Sequence, residues 1–353
     1  MTTGRDTGTQ TEQPTVRTGR SWSSAAPELP QQDRLGRYEL GTLVGSGGMG
    51  VVVAAWDPEL DREVAIKVVR PDISAQAGAS LLQEARAIAR LSDPHVVPVY
   101  DVGIVGDQVF MAMELVEGET LARWLDQPRG YTEILDCFRQ AGRGLAAAHE
   151  AGISHRDFKP SNVLVGNDGR VRVMDFGIAS VADPNRGKTF APQLRGDLSG
   201  STTGVSDGSD AIVGTPVYMP PEQMLGERVT PQSDQFSFCV GLWKALYGTY
   251  PFEGASDHRR LDAIESQRFT AHHDPLGVPS RVERVLRRGL RAHPEQRFDD
   301  MPALLGALDA AARPRSRRWL SLAGLGVVIG VAAVPWGSDE SSVCDNLGAD
   351  FDA

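Results

Sequence analysis

Cysteine is scarce: only Cys137, Cys239 and Cys344 occur in 353 residues, and no two lie close in sequence. That excludes a disulfide framework and a paired-cysteine zinc site, and leaves Cys137 and Cys239 as small buried hydrophobes. Positive charge is also in deficit, with 36 lysines and arginines against 46 acids and a formal charge of −10. Such a balance argues against nucleic acid as the main partner. The N-terminus lacks an apolar run, since residues 1–34 are polar, so no signal peptide is expected. What is present is length and apolar content: 41% hydrophobic residues, enough for a two-lobed core with appendages.

The stretch Ser154-His155-Arg156-Asp157-Phe158-Lys159-Pro160-Ser161-Asn162 carries the chemistry. Asp157 is followed two residues on by Lys159 and five residues on by Asn162. That spacing suits phosphoryl transfer. A carboxylate takes the proton of an attacking hydroxyl, an ammonium steadies the moving phosphate, and an amide holds a metal ion. Asp175-Phe176-Gly177 follows, with a second carboxylate placed to grip metal. Upstream, Val44-Gly45-Ser46-Gly47-Gly48-Met49-Gly50-Val51-Val52 is a glycine-rich turn between strand patterns. Glycine there lets backbone close over phosphates. A dinucleotide-binding turn is the rival, but it expects a helix next. Here a β-rich stretch follows and ends in Val64-Ala65-Ile66-Lys67. Residues 79–91 place Leu81, Ala85, Ile88 and Leu91 on one helical face, with Glu84 on the same helix, and Ser92-Asp93-Pro94 stops it. Strands are expected over 96–102 and 108–116, and a core helix over 132–151 that Gly152 ends.

In this order and at these separations, the motifs resemble those of protein kinases. The resemblance covers roughly residues 38–312. It implies an α+β, two-lobed fold: a small β-rich N-lobe with one main helix (37–116) and a larger, mostly helical C-lobe (117–312). It also implies ATP and Mg²⁺. Val44, Gly45, Ser46, Gly47, Gly48, Met49, Gly50, Val51, Val52 and Ala65 would surround the nucleotide. Backbone groups of Glu114 and Val116 would bond the adenine edge, with Met113 at the back wall. Lys67, held by Glu84, would orient the phosphates, and Asn162 and Asp175 would hold the metal. Asp157 would act as catalytic base and Lys159 would stabilise the γ-phosphate. Lysine at 159 marks Ser/Thr rather than tyrosine specificity. Phe158 stands where leucine is commoner and should pack inward.

Further expectations follow from the same resemblance. Arg156 points to regulation by a phosphate in the activation segment, 175–222, whose hydroxyls include Ser199, Ser201, Thr202, Thr203, Ser206 and Ser209. A bland flexible insertion is the alternative. Thr215 would bond the catalytic aspartate. Pro220-Pro221-Glu222 stands where Ala-Pro-Glu is usual, and Glu222 should pair with Arg297. Asp234 should brace the catalytic loop.

The two ends differ. Residues 1–36 have too few apolar side chains to offset chain entropy and read as a disordered tail. Residues 313–318 are a basic cluster, and 319–336 run from tryptophan to tryptophan without a charge. As a helix this span is about 27 Å long, enough to cross a bilayer. Arginines before it put the kinase-like region in the cytoplasm. Gly326 and Gly330 offer a weak signal for a homodimer through this helix. Residues 337–353 would lie outside and are too few to fold, so the chain either lacks a sensor domain or is truncated. The reading is a membrane-anchored Ser/Thr kinase of bacterial type acting on protein substrates. The rivals are a pseudokinase, a small-molecule phosphotransferase of related fold, and a membrane scaffold.

Overall fold

The computed structural model describes residues 33–47, 50–70, 73, 82–106, 108–176, 216–254 and 256–313. Of the tail expected over 1–36, residues 1–32 lie outside them, as do the tip of the glycine turn, most of the activation segment and the apolar span at 319–336, whereas Arg34–Leu35 form a strand paired with Tyr38–Glu39, so order begins before the expected boundary. Among the described residues, no helix is long and apolar enough to cross a membrane.

The N-lobe is a six-stranded antiparallel sheet. Its strands are β1 (Arg34–Leu35), β2 (Tyr38–Gly47), β3 (Gly50–Asp57), β4 (Arg62–Val69), β5 (Val99–Val105) and β6 (Gln108–Met113), in spatial order β1-β2-β3-β4-β6-β5. Alternation in β3 explains why it lies flat between two layers. Val51, Val53 and Ala55 join Leu35, Tyr38, Ile66 and Phe110 in the outer core. Val52 faces the other way, with Ala65, Met111 and Met113. Helix α1, described over 82–88, packs Ala85 on that inner layer and Ile88 into the C-lobe core.

Two strand boundaries differ from expectation. Residues 96–98 do not begin β5. Val96 instead bridges Val173 in parallel, and Val97 N–H donates to Val173 O at 2.9 Å. The segment is spent on joining the lobes. β6 ends at Met113 rather than at 116, because Glu114 N–H donates to Pro98 O (3.0 Å) and the chain leaves the sheet there.

In the C-lobe, α3 (Tyr131–Glu150) buries Ile134, Phe138, Ala141, Leu145 and Ala148, the expected stripe. Gly152, with φ of 76°, ends it in the left-handed region. Gly144 lets the lobes meet: a Cβ there would stand 2.2 Å from His95 O. The short helices α2 (Leu121–Trp124) and α4 (Pro221–Met224) flank the long helix α5 (Pro231–Tyr247), which is buried on every side and is the pillar of the lobe. α6 (Asp257–Glu265), α7 (Ser280–Gly289) and α8 (Met301–Ala312) complete it. A small sheet of β7 (Gly118–Thr120), β8 (Val163–Gly166) and β9 (Val171–Val173) sits under the cleft.

Candidate active site

The catalytic loop hangs from one buried carboxylate. Asp234, in the first turn of α5 and 1% exposed, accepts backbone N–H groups of His155 (2.7 Å) and Arg156 (2.8 Å), and His149 Nε2 lies 2.8 Å away. Arg156 has φ of 65°, a left-handed conformation that costs a non-glycine residue about 1 kcal/mol or more. The carboxylate at the helix N-terminus holds that turn. His155 Nε2 donates to Met174 O (2.9 Å), so its Nδ1 is free to accept Asp157 N–H at 3.3 Å. Its ring packs on Phe176 at 4.8 Å and Phe158 at 5.8 Å. Phe158 is fully buried, as expected.

Asp157 then faces the cleft with two neighbours. Lys159 Nζ lies 2.9 Å from its Oδ2. Asn162 Nδ2 donates to Asp157 O (2.8 Å) and to Oδ2 (3.3 Å). With its NH₂ engaged, Asn162 has its amide oxygen left for a cation. Asp175 follows with φ of 64° and a side chain 24% exposed. Burial pushes its carboxyl up, but Lys67 at 2.7 Å more than offsets this and holds it below the ordinary value. Hard oxygen donors at Asp175 and Asn162 fit Mg²⁺. Among the described residues, no group of three or more His, Cys, Asp or Glu side chains could hold a metal by itself. A cation here would therefore need phosphate or water oxygens as well, which is how Mg²⁺ is usually held.

One expected contact is absent. Glu84 does not reach Lys67. Its Oε1 lies 3.4 Å from Arg156 Nη1, and its Oε2 is buried without a hydrogen-bond partner. Lys67 is instead bonded to Asp175, and packing leaves Glu84 against Arg156. Burial pushes the Glu84 carboxyl up, and Arg156 only partly offsets it.

Above these groups lies the glycine turn. Gly47 pairs with Gly50, and Gly48 and Met49 lie outside the described residues. The glycines do different jobs. A Cβ at Gly50 would stand 1.9 Å from Val68 O, so that glycine is required by packing. A Cβ at Gly45 or Gly47 would meet nothing within 4 Å, so neither is needed by the chain itself. Ser46 pairs with Val51 across the turn, and Val44 is 56% exposed at its root. Val52 and Ala65 form an apolar roof, and Leu164 and Met174 join the same cluster with Met113 and Val116. Together they form one apolar cluster. Sequence reasoning passed over Leu164 and Met174; their signal was an apolar residue two past Asn162 and another just before Asp175.

Arg172 was missed as well. It is 2% exposed on β9, lies 3.5 Å from Glu114 Oε2, and binds Asp168 through two nitrogens at 3.2 and 2.7 Å. It ties the linker between the lobes to the small sheet. Nothing in its sequence position announces the tie to Glu114, because that partner comes from a separate segment.

Behind the site, Arg297 clamps Glu222 with bonds of 2.7 and 2.9 Å, both residues being almost fully buried. Ser233 Oγ donates to the same carboxylate at 2.7 Å. Three backbone carbonyls, of Arg291, Ala292 and Gln232, take the remaining guanidinium protons. Thr215 lies outside the described residues.

The family model described as protein kinase domain matches residues 38–304. The chain belongs to the protein kinase family. It is 35% identical over 292 residues to the serine/threonine-protein kinase pkn2 of Myxococcus xanthus, covering 78% of this chain and 33% of that protein. It is 33% identical to the serine/threonine-protein kinase PknD of Mycobacterium tuberculosis, covering 78% and 39%. For PknL of the same species the identity is 35% and the shares are 78% and 66%. This kinase-family chain thus spans between a third and two thirds of the length of those curated relatives. In fold it is similar to the crystal structure of the Mycobacterium tuberculosis PknI kinase domain, with a TM-score of 0.59 and 23% identity over 81% of this chain and all of that one.

Proposed function

We propose that the chain is a Ser/Thr protein kinase that moves the γ-phosphate of ATP to hydroxyls of protein substrates. One observation carries the reading: Lys67, Asp157, Lys159, Asn162 and Asp175 come from three segments and form two contact sets of 2.7 to 3.3 Å, Lys67–Asp175 and Asp157–Lys159–Asn162, linked by Met174 N–H donating to Asn162 O at 3.0 Å. The pair Lys67–Asp175 supplies one positive and one negative group for a charged nucleotide. Asp157 holds the incoming hydroxyl and takes its proton, and Lys159 keeps that carboxylate oriented and offsets charge on the transferred group. Mg²⁺, held by Asp175 and Asn162, would neutralise phosphate charge. Catalysis of this kind is mostly positioning and electrostatics.

Arg156 engaged by Glu84 supports a regulated enzyme. A phosphate on the activation segment would compete for Arg156 and leave Glu84 for Lys67. The run 319–336, behind six residues of which four are arginine, supports a single-pass membrane anchor with the kinase domain on the cytoplasmic side. The second reading, an ATP-binding pseudokinase, draws on the missing Lys67–Glu84 pair.

The test is Mg-ATP autophosphorylation of the full chain beside Asp157→Asn, with sites mapped. Phosphate on the 199–209 hydroxyls, lost in the variant, is expected. Phosphate only in residues 1–36 would keep the kinase and remove the loop regulation. ATP binding without transfer in either protein would select the pseudokinase.

A further inference from the structure

Behind the catalytic loop lies a second cavity that the chemistry in the cleft does not use. It measures about 540 Å³ and lies between the end of α3, the start of the catalytic loop and the start of α5. His149, Ser154, Arg228, Val229, Thr230 and Pro231 line it, and no carboxylate does among the described residues. Arg156 borders it too, but its charge is already engaged by Glu84 at 3.4 Å. Arg228 is exposed and makes no ion pair among the described residues.

Two polar atoms of this wall are unsatisfied. His149 Nδ1 and Thr230 Oγ1 are buried and have no hydrogen-bond partner. The His149 side chain is only 9% exposed, and its other nitrogen, Nε2, lies 2.8 Å from Asp234 Oδ2. A carboxylate only accepts, so Nε2 carries the proton. Nδ1 of the neutral ring is then an acceptor, directed away from Asp234. Buried polar atoms are rarely left unpaired without a reason. Thr230 is the N-cap of α5, yet its side chain makes no capping bond. The positive end of that 17-residue helix borders the cavity at Thr230 and Pro231.

This set of groups narrows the ligand. Arg228 and the helix end call for negative charge, whereas Nδ1 calls for a donor. A phosphate monoester offers both: its second pKa is about 6, so its monoanion keeps one P–O–H beside the P–O⁻ oxygens. Sulfate and carboxylates have no such proton at neutral pH. The volume suits a small molecule, with Val229 and Pro231 against its carbon part.

We propose that this cavity binds the phosphate monoester of a small molecule, and that the occupant steadies the catalytic loop through His149 and Asp234. The path is short. Asp234 Oδ2, which faces His149, is the oxygen that accepts His155 N–H at 2.7 Å. A bond at Nδ1 fixes the ring, the ring fixes the carboxylate, and the carboxylate holds the left-handed turn at Arg156. The effect on catalysis rests on the kinase reading; the binding does not.

The test uses the full chain with Mg²⁺ and a saturating non-hydrolysable ATP analogue, so that the cleft is occupied. Equilibrium dialysis with radiolabelled inorganic phosphate should show one phosphate retained per chain. Glycerol 3-phosphate should displace it, and sulfate should compete about tenfold less well. Arg228→Ala should keep its Tm and weaken retention about tenfold, and Thr230→Val should weaken it less. Arg143→Ala, which alters only the adjoining cavity, should retain phosphate fully. Hydrogen exchange then reads the brace: at phosphate about four times its Kd, the amides of His155 and Arg156 should exchange about fivefold more slowly. That readout needs no phosphoryl transfer, so an inactive chain would sink the kinase reading and leave this one standing. No retention by the wild type, or equal retention by Arg228→Ala, would overturn the site. Retention without slower exchange at His155 and Arg156 would overturn the coupling to the loop. Displacement by a phosphoserine peptide, but not by glycerol 3-phosphate, would give the cavity to a protein partner and overturn the small-molecule ligand.

Discussion

Two glutamates, one buried and one half-buried, show how differently this molecule treats its two halves. Glu222, in the C-lobe, has both oxygens bound by Arg297 and a third bond from Ser233. Glu84, in the N-lobe, has one oxygen 3.4 Å from Arg156 and the other without a partner. The first carboxylate sits in a completed network, where removing one partner strands a buried charge. The second is held by a single long contact and carries a burial penalty. A network with every group satisfied has one stable arrangement. The C-lobe is thus a fixed frame for Asp157 and Asn162, and the Glu84 carboxylate of α1 is the group left unsatisfied.

Substitutions can break this contrast or sharpen it. The largest effect belongs to the cleft. Asp175→Asn removes the carboxylate partner of Lys67 and the proposed metal ligand, and should lower phosphoryl transfer by about three orders of magnitude or more, measured with Mg-ATP. Its Tm should change by only a few degrees, because the site is partly open to solvent. Next is Arg297→Ala, which leaves Glu222 buried without its cation. It should cost about 3–5 kcal/mol of stability in denaturant unfolding. A loss below 1 kcal/mol would remove the fixed-frame idea. Asp234→Ala strips two backbone N–H groups and His149 of their acceptor. It should lower kcat by about a hundredfold, since a small misplacement of Asp157 is enough for that, with KM for ATP nearly unchanged. Arg172→Ala releases Glu114 and should do the reverse, raising KM for ATP severalfold with kcat kept.

The smallest expected effect is the most informative about Glu84. Its folded pKa is raised, so its protonated form favours the fold. The corresponding stability is present below the ordinary glutamate value of about 4.3 and is lost as pH rises through the raised value. Asp175 has the opposite sign: its depressed pKa gives stability above the ordinary aspartate value that is lost only as pH falls through the lowered one. Glu84→Gln should therefore raise Tm slightly near neutral pH and flatten its slope with pH just above 4.3, while lowering activity. A fall in Tm at neutral pH would mean that Arg156 holds Glu84 more firmly than its geometry indicates.

Much of the site was legible from spacing alone. Asp157, Lys159 and Asn162 lie within six residues, so local geometry already brings them together. Glycine and proline marked the turns, and the 3.6-residue period marked α3. The Glu222–Arg297 clamp and the Asp234 brace were implied by resemblance and stand at 2.7–2.9 Å in the fold. Less legible were Leu164 and Met174, whose apolar character fits any buried strand, and Arg172, whose partners Asp168 and Glu114 lie on different segments.

The sequence by itself determined which residues are candidates for the chemistry and the order of strands and helices that delivers them. It did so because motif spacing and hydrophobic period are local properties of a chain. Only the tertiary structure decided which cation each acid takes. Lys67 had two candidate carboxylates, Glu84 from α1 and Asp175 from the loop after β9, and a sequence cannot rank contacts whose distances depend on how a helix packs. Packing placed Asp175 at 2.7 Å and left Glu84 to Arg156. A single ammonium in a partly buried cleft was then neutralised by the nearer charge.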